Sequence, residues 1–294
     1  MALVHVLGNP AAGGGTGDTE RVVGAVVAAG HEVELLRATS ADAARDVARA
    51  AVTDGAERLI VVGGDGMVRI AVDAVAESAT VLGIVPQGTG NDFARALGLL
   101  DGSLDEQVAR ALSPGVLVDA MRTNHGWVAS VATFGFSGDV TKRANALRWP
   151  RGAQRYTVAT LLQLPRLRRI AATIEIDGQV HDAATTMLSV GNTAYFGGGM
   201  KICPDAEPDD GLAQVVVIGP TGRSTFLRVF PRVFGGGHLT HPQVSAYRTD
   251  RVVVDGDPVM VWADGDELGP LPVTCEIVPG ALRLAGSLAG SVAR

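Results

Sequence analysis

Three short β-branched runs in the first third of the chain each end in a glycine-rich turn, and this repetition constrains the fold more than any other feature. Leu3–Leu7 leads into Gly8-Asn9-Pro10-Ala11-Ala12-Gly13-Gly14-Gly15, Arg58–Val62 into Gly63-Gly64-Asp65-Gly66, and Val81–Val85 into Pro86-Gln87-Gly88-Thr89-Gly90-Asn91-Asp92. Glu32–Leu36 is a fourth strand candidate, and Thr19–Ala29, Ala41–Ala51, Met67–Ala76 and Asp92–Leu97 are helix candidates, with Asp18 and Ser40 as expected caps. Strands alternating with helices predict a parallel sheet covered by helices, a Rossmann-like α/β domain. Strand ends in such a sheet share one edge, so the three turns converge on one ligand.

Glycine allows close backbone approach, and the N–H groups at a following helix start hold phosphate oxygens. One such turn alone would mean only that a strand ends there. Three together favour a polyphosphate cradle. Neither GxxxxGKS/T nor GxGxxG with its acidic partner is present, which counts against P-loop and ordinary dinucleotide sites. Asp65 is the unusual member, because a carboxylate beside phosphates is repelled unless a cation or a transferring proton intervenes. The plain alternative is that Asp65 caps the next helix.

After about Asp119 the pattern changes to strand-like runs: Trp127–Thr133, Ala172–Ile176, Thr185–Val190, Ala213–Ile218, Arg251–Val254 and Val259–Ala263, with a helix expected from Thr225 to Phe234. The expected division is an α/β domain over 1–119 and a mainly antiparallel β-sandwich over 120–280, with 281–294 packing back on the first domain. At roughly 100–200 residues per domain, 294 residues suit two cores.

Hydrophobic residues make up 47% of the chain, yet no apolar run approaches the roughly 20 residues that span a bilayer. The N-terminal MALVHVLG run reads as a buried strand rather than a signal peptide, so a cytoplasmic protein is expected. Cys203 and Cys275 form no CxxC pair and support neither a disulfide framework nor a thiolate metal site. His238 and His241 have helical metal spacing but no evident third ligand. A net charge of −6 argues against nucleic-acid binding through one basic surface. That average conceals a basic segment. Between Asp139 and Glu175 lie Lys142, Arg143, Arg148, Arg151, Arg155, Arg166, Arg168 and Arg169 with no acidic residue, and the remainder of the chain carries 17 basic against 31 acidic residues. Trp149, Tyr156, Leu161, Leu162 and Leu164 interleave with those cations. This composition fits docking on anionic lipid headgroups over residues 142–169, and its alternative is a solvated helix face.

VVGGDGMV, IVPQGTGNDFARALGL and KICPDAEPDDGLAQVVVI, in this order, resemble the diacylglycerol kinase catalytic family, which includes bacterial soluble lipid kinases and sphingosine kinases. The GGDG run alone is shared with NAD kinase and phosphofructokinase; the GTGNDFAR and PDAEPDDG segments discriminate. The similarity runs from Asn9-Pro10 to the C-terminus. It implies an ATP- and Mg²⁺-dependent lipid kinase with its active site in a cleft between two domains, working at the inner face of the membrane as a peripheral protein.

Carried over residue by residue, the resemblance implies nucleotide contacts at Asn9, Pro10, Gly13, Thr39, Gly63, Gly64, Asp65, Gly66, Thr89, Asn91 and Asp92. WADGDELG matches the segment that supplies the family's general base, usually as Asp-Gly-Glu, which implies Asp266 as base with Glu267 as the fallback. Glu207, Asp210 and Leu212 match positions that hold a structural Mg²⁺ in bacterial relatives. Two residues depart from the pattern: Met67 stands where threonine normally completes GGDGT, and Gly14 where relatives often carry a basic residue. The alternatives are a soluble-substrate kinase acting on NAD or a sugar phosphate, and a catalytically silent lipid- or nucleotide-binding regulator. The acceptor lipid and the oligomeric state, monomer or homodimer, are left open by the sequence.

Overall fold

The computed structural model describes residues 2–8, 16–147, 149–150 and 154–286. The chain divides into two compact units, Met1–Asp119 with Pro279–Arg294, and Ala120–Val278.

In the first unit, β1 (Leu3–Gly8), α1 (Thr16–Ala28), β2 (Glu32–Leu36), α2 (Ala41–Thr53), β3 (Arg58–Gly63), α3 (Asp65–Val75), β4 (Val81–Pro86), α4 (Asp92–Ala96) and α5 (Leu104–Ala111) follow in order. The strands are parallel in the order β2-β1-β3-β4, and Arg283 and Leu284 from the last strand of the chain lie parallel beside Val81 and Leu82. Every residue of β3 from Leu59 to Gly63 is buried, as a strand covered on both faces requires. Val4, Val6, Ile60, Val62 and Val85 pack against Val22, Val26 and Val108 of the covering helices.

Local chemistry sets the helix ends. Ser40 Oγ accepts the Ala43 N–H at 3.1 Å and starts α2, whose Ala44, Ala48 and Ala51 fall on one buried face. Ser103 and Glu106 form a reciprocal capping box on α5, and those Ser103 hydrogen bonds hold the Glu106 carboxyl below its usual range. Asp18 does not cap α1. The helix begins at Thr16, so Asp18 sits in its first turn, where a carboxylate favours the dipole.

The chain leaves this unit along β5 (Gly115–Thr123) and continues through β6 (Gly126–Val128), β7 (Val131–Gly135), α6 (Phe136–Ala146), α7 (Gln154–Gln163), β8 (Ile170–Ile176), β9 (Gln179–Thr185), β10 (Met187–Gly191), β11 (Ala213–Ile218), α8 (Arg223–Val229), β12 (Val244–Thr249), β13 (Arg251–Gly256), β14 (Met260–Ala263), β15 (Asp266–Pro270) and β16 (Val273–Ala285). One antiparallel sheet runs β12-β11-β10-β7-β14-β15, and β13 lies antiparallel between β8 and the first half of β16 in the second. Phe134, Leu188, Val215 and Val261 of the first sheet meet Ile174, Val254 and Val273 of the second in a common core, which makes the unit a β-sandwich.

Two expected elements differ. The run Trp127–Thr133 is two strands, because the Ala129 and Ser130 N–H groups are taken by the Asp264 carboxylate at 2.9 Å each. The expected helix Thr225–Phe234 stops at Val229 and tightens into a 3₁₀ turn over Phe230–Gly235, with Pro231 at its start. Both cysteines are buried free thiols, with Cys275 pushed up to about 12 and Cys203 also raised by burial, so neither is a nucleophile at neutral pH. Among the described residues no helix is long and apolar enough to cross a membrane.

Candidate active site

Register brings the ends of β1, β3 and β4, which lead into the glycine turns, to one sheet edge. Gly8 pairs with Val62 on one side, and Gly63 pairs with Pro86 on the other. The two turns after β3 and β4 then touch through their backbones. A Cβ on Gly88 would lie 2.3 Å from Gly64 Cα, and one on Gly64 would lie 2.9 Å from Gly88 Cα. Neither position has room for a side chain, so these glycines are required by proximity, not by a left-handed backbone.

The side chains around them are tied to the same backbone. Asn91, left-handed at φ 52, accepts the Gly88 N–H at 3.0 Å and donates to the Gly88 carbonyl at 2.8 Å. Asp65 does not cap α3; that position belongs to Gly64, which has no side-chain cap to offer. Instead Asp65 Oδ1 accepts the Asp92 N–H at 2.6 Å, joining the N-termini of α3 and α4, while Oδ2 would be 2.6 Å from a Cβ on Gly90. The helix dipole and first-turn N–H groups of α3 thus begin beside a carboxylate held in a fixed orientation. Phosphate oxygens fit such N–H groups, and the carboxylate fits a cation carried with them.

Thr89 is exposed in the turn after β4, and Thr39 is exposed just before the Ser40 cap of α2. Met67 is only 6% exposed and packs into the buried face of α3. Asn9, Pro10, Gly13 and Gly14 lie outside the described residues.

In the second unit, Asp266 is exposed at the start of β15, directly after the Asp264-Gly265 turn. Glu267 is exposed beside it. The residue that holds this hairpin is Asp264, left-handed at φ 52, through its two bonds to the N–H groups of Ala129 and Ser130. Asn192 holds the same segment from its carbonyl side, its N–H donating to Ser130 O at 2.9 Å and its Nδ2 to Ala129 O at 3.2 Å. Asn145 Nδ2 adds a bond to Gly265 O at 3.0 Å. Sequence reading singled out the base candidate and missed these positioning residues; the Asp-Gly pair, a hairpin-turn signal, was the available clue.

Glu207, Asp210 and Leu212 lie on the loop before β11. Asp210 Oδ2 is bonded to the Arg248 guanidinium, and its Oδ1 accepts the Leu212 N–H at 2.9 Å. Both carboxylate oxygens are therefore in use, one by a cation from the neighbouring strand β12. No group of three His, Cys, Asp or Glu suited to a metal occurs among the described residues. Glu207 is exposed on the same loop, and an ion held by Asp210 would have to displace the Arg248 guanidinium.

An apolar cavity of about 60 Å³ lies within the second unit. Phe136 and Val140 of α6, Tyr156 of α7, Met187 of β10 and Phe226 of α8 line it, with Met200 and Phe230 from the loops. Of the basic segment, Lys142 and Arg143 are exposed on α6, Arg155 is half-buried on α7, and Arg166, Arg168 and Arg169 are exposed beyond it. Of the interleaved apolar residues, Trp149 is 80% exposed and Leu161 and Leu162 are exposed, whereas Tyr156 and Leu164 pack inward. Arg148 and Arg151 lie outside the described residues.

Comparison with known proteins agrees with both halves of this arrangement. Residues 3–119 match the diacylglycerol kinase catalytic domain, and residues 129–286 match the YegS C-terminal NAD kinase beta sandwich-like domain. A curated diacylglycerol kinase of Mycobacterium tuberculosis is 36% identical over 97% of this chain and 95% of its own length. A probable lipid kinase, YegS-like, of Xanthomonas euvesicatoria is 30% identical over 83% of this chain and 82% of its own. A crystal structure of a diacylglycerol kinase from Bacillus anthracis superposes with a TM-score of 0.72 at 20% identity, covering 99% of this chain and 98% of that one, a likeness of fold.

Proposed function

This chain belongs to the diacylglycerol kinase and YegS-like lipid kinase family, and from that premise we propose that it transfers the γ-phosphoryl group of ATP to the hydroxyl of diacylglycerol or a closely related lipid. The observation that carries the proposal is the contact of the Gly64 and Gly88 turns with Asp65 fastened between them, which leaves a glycine-walled edge suited to a triphosphate. We assign phosphate binding to the first unit, through the α3 N-terminus, the turn from Gly88 to Asn91, Thr89 and Thr39, and carry over from the family resemblance a nucleotide contact for Asn9, Pro10 and Gly13. Asp65 would face the Mg²⁺ that accompanies ATP and neutralises its phosphates. Asp266 is assigned as the base: its carboxylate accepts the hydroxyl proton as the lipid oxygen bonds to the γ-phosphorus and the bond to the β–γ bridging oxygen breaks, releasing ADP.

The cavity in the second unit supports a lipid acceptor, since α6 and α7 contribute apolar lining to it, while Lys142 and Arg143 of α6 and Trp149 just beyond that helix are exposed. A helix pair built this way docks on an anionic bilayer with each cation near the surface contributing about 1 kcal/mol, and passes an acyl chain inward. At its present volume the cavity admits a short segment of chain; Met187 and Met200, flexible thioethers, are the wall residues best able to give way.

The test is incubation with labelled ATP, Mg²⁺ and a total lipid extract in mixed micelles, run beside NAD and sugar phosphates as soluble acceptors. Label in lipid alone supports the proposal; label in a soluble acceptor, or ATP binding without any product, refutes it. Asp65→Ala is expected to abolish transfer, and Asp65→Asn, which keeps an acceptor for the Asp92 N–H, separates loss of charge from loss of the tether. Wild-type turnover in both variants would sink the role given to Asp65.

A further inference from the structure

The wall that α8 and the 3₁₀ turn behind it give to the apolar cavity has two unlike faces. Phe226, Val229, Phe230 and Val233 line the cavity. Arg223, Leu227, Arg228, Pro231, Arg232 and Phe234 are exposed, recurring every three or four residues as the opposite side of a helical segment does. A solvated face is ordinarily polar, and this one carries a leucine and a phenylalanine. Single exposed apolar residues need no explanation. Of the eleven large ones exposed among the described residues, however, five lie in one region: Trp149 between α6 and α7, Leu161 and Leu162 on α7, Leu227 on α8 and Phe234 on its 3₁₀ turn. Phe136, Ala159 and Phe226 pack these three helices together.

Phe234 is also the outer end of a row of rings. Phe136 meets Phe226 edge-on at 4.9 Å between centroids, Phe226 stacks on Phe230 at 5.7 Å, and Phe230 meets Phe234 at 6.0 Å. The first three line the cavity and the fourth is on the surface, so aromatic contact is unbroken from one to the other.

Charge completes the pattern. No acidic residue occurs between Asp210 and Asp250, and the exposed guanidiniums of Arg228 and Arg232 make no ion pair among the described residues. Arg223 donates to the Pro165 carbonyl oxygen, tying the start of α8 to the turn Leu164–Arg166 of the other acid-free stretch. Unpaired cations interleaved with large apolar side chains suit a surface that offers phosphates above hydrocarbon. A second copy of the chain, applied through this same face, would set arginines against arginines.

We propose that Arg223–Gly235 is a bilayer-docking element: Leu227 and Phe234 enter the hydrocarbon of an anionic leaflet, Arg228 and Arg232 hold its phosphates, and the row of rings leads from that contact to the cavity. The proposal rests on reading the cavity as the lipid site of a kinase. It adds to residues 142–169 a second element, which sets the α8 wall of the cavity against the membrane.

Cys203 and Cys275 are buried, so one introduced cysteine can be labelled selectively with the environment-sensitive dye NBD on the folded full chain. Phe234→Cys is compared with Val180→Cys, an exposed position on β9 of the same unit. With vesicles of equal parts phosphatidylcholine and phosphatidylglycerol, the dye at 234 is expected to shift to the blue and the dye at 180 to stay as in water. Sedimentation with these vesicles should show about tenfold weaker partitioning when Leu227→Ser and Phe234→Ser are combined. Combined Arg228→Gln and Arg232→Gln should weaken it about 25-fold, at about fivefold per cation. Vesicle binding with no blue shift at 234 overturns the proposal and leaves docking to residues 142–169 alone. An equal shift at 180 overturns it as unspecific adsorption, and so does an absence of binding to the mixed vesicles. If the serine pair dissolves a dimer in size-exclusion chromatography while partitioning stays unchanged, the face joins two copies and the proposal fails. Where a paired variant does not fold, the dye comparison still decides. Phosphorylation of a short-chain diacylglycerol dissolved below its micelle concentration is expected at the wild-type rate in both paired variants, and a loss there means that these residues serve the site rather than the bilayer. No such phosphorylation by the wild type marks failure of the kinase reading, which the vesicle measurements do not depend on.

Discussion

Gly88→Ala is the smallest change that tests whether the two phosphate turns must touch. The added Cβ would lie 2.3 Å from Gly64 Cα, 2.6 Å from Asn91 Oδ1 and 3.1 Å from Gly64 N. Ordinary carbon contacts are about 3.5–4.0 Å, so the turns must part by about 1.2 Å or more. The Asn91 side chain can rotate away, but only by giving up its two bonds to Gly88. Backbone cannot. Just before the contact, the Gln87 N–H is bonded to Gly63 O at 2.9 Å, so the strands resist separation. Overpacking of this kind costs about 1–3 kcal/mol of stability, and displacement of reacting groups by about 1 Å lowers turnover about 100-fold. Gly64→Ala, whose Cβ meets Gly88 Cα at 2.9 Å, should be milder in both respects. Gly24→Ala in α1 meets nothing within 4 Å and should stabilise by about 0.5–1 kcal/mol. Urea midpoints and transfer of labelled phosphate to lipid, measured on all three variants, give the comparison. Wild-type stability and turnover in Gly88→Ala would refute the packing argument and with it the convergence of the turns.

Asp264→Ala removes the acceptor for two buried N–H groups, and a loss of about 3 kcal/mol is expected in urea denaturation; lipid phosphorylation should fall too, since the hairpin bearing Asp266 loses its fastening. An unchanged midpoint would show that Ala129 and Ser130 find other partners. Because burial lowers the His238 pKa, the unfolded chain holds more protons than the folded one between the folded value and the model-peptide value of 6.5. Stability should therefore decline as pH falls below about 6.5, by at most about 1.4 kcal/mol per pH unit from this group, and His238→Phe should flatten that part of the profile; identical profiles would contradict it. Finally, since the Arg248 guanidinium occupies Asp210, the wild-type urea midpoint should ignore EDTA and millimolar Mg²⁺, whereas Arg248→Leu should gain stability from Mg²⁺. Equal Mg²⁺ stabilisation of both proteins would restore the metal site that the family resemblance implies.

How much of this molecule could be read from its residues depended on whether each feature leaves a local mark. Glu32–Leu36 is a strand over that span, and Arg58–Val62 extends only to Gly63, because β-branched runs bounded by glycine announce themselves. The Ser103–Glu106 box that opens α5 carried an equally local signal, although the short helix behind it was not read. The break at Ala129–Ser130 had none: it exists because Asp264, 135 residues away along the chain, takes an N–H that a ladder would otherwise use. β12 escaped notice for a related reason, since Ser245, Ala246, Tyr247 and Arg248 are exposed and give the strand no apolar alternation.

The same distinction separates the two halves of the candidate site. Phosphate binding demands backbone approach, and close approach demands glycine, so the turns at Gly64 and Gly88 are written in a residue type that has few other reasons to recur there. Chain binding demands only apolar volume, which Phe136, Val140 and Met187 supply in the same letters that build any core. The histidines of that wall are no exception, since the spacing of His238 and His241 gives no sign that one ring meets the Ile202 carbonyl and the other the Gln243 N–H. The phosphate-side turns are therefore legible from glycine chemistry, whereas the apolar cavity is written in residues that any core would use.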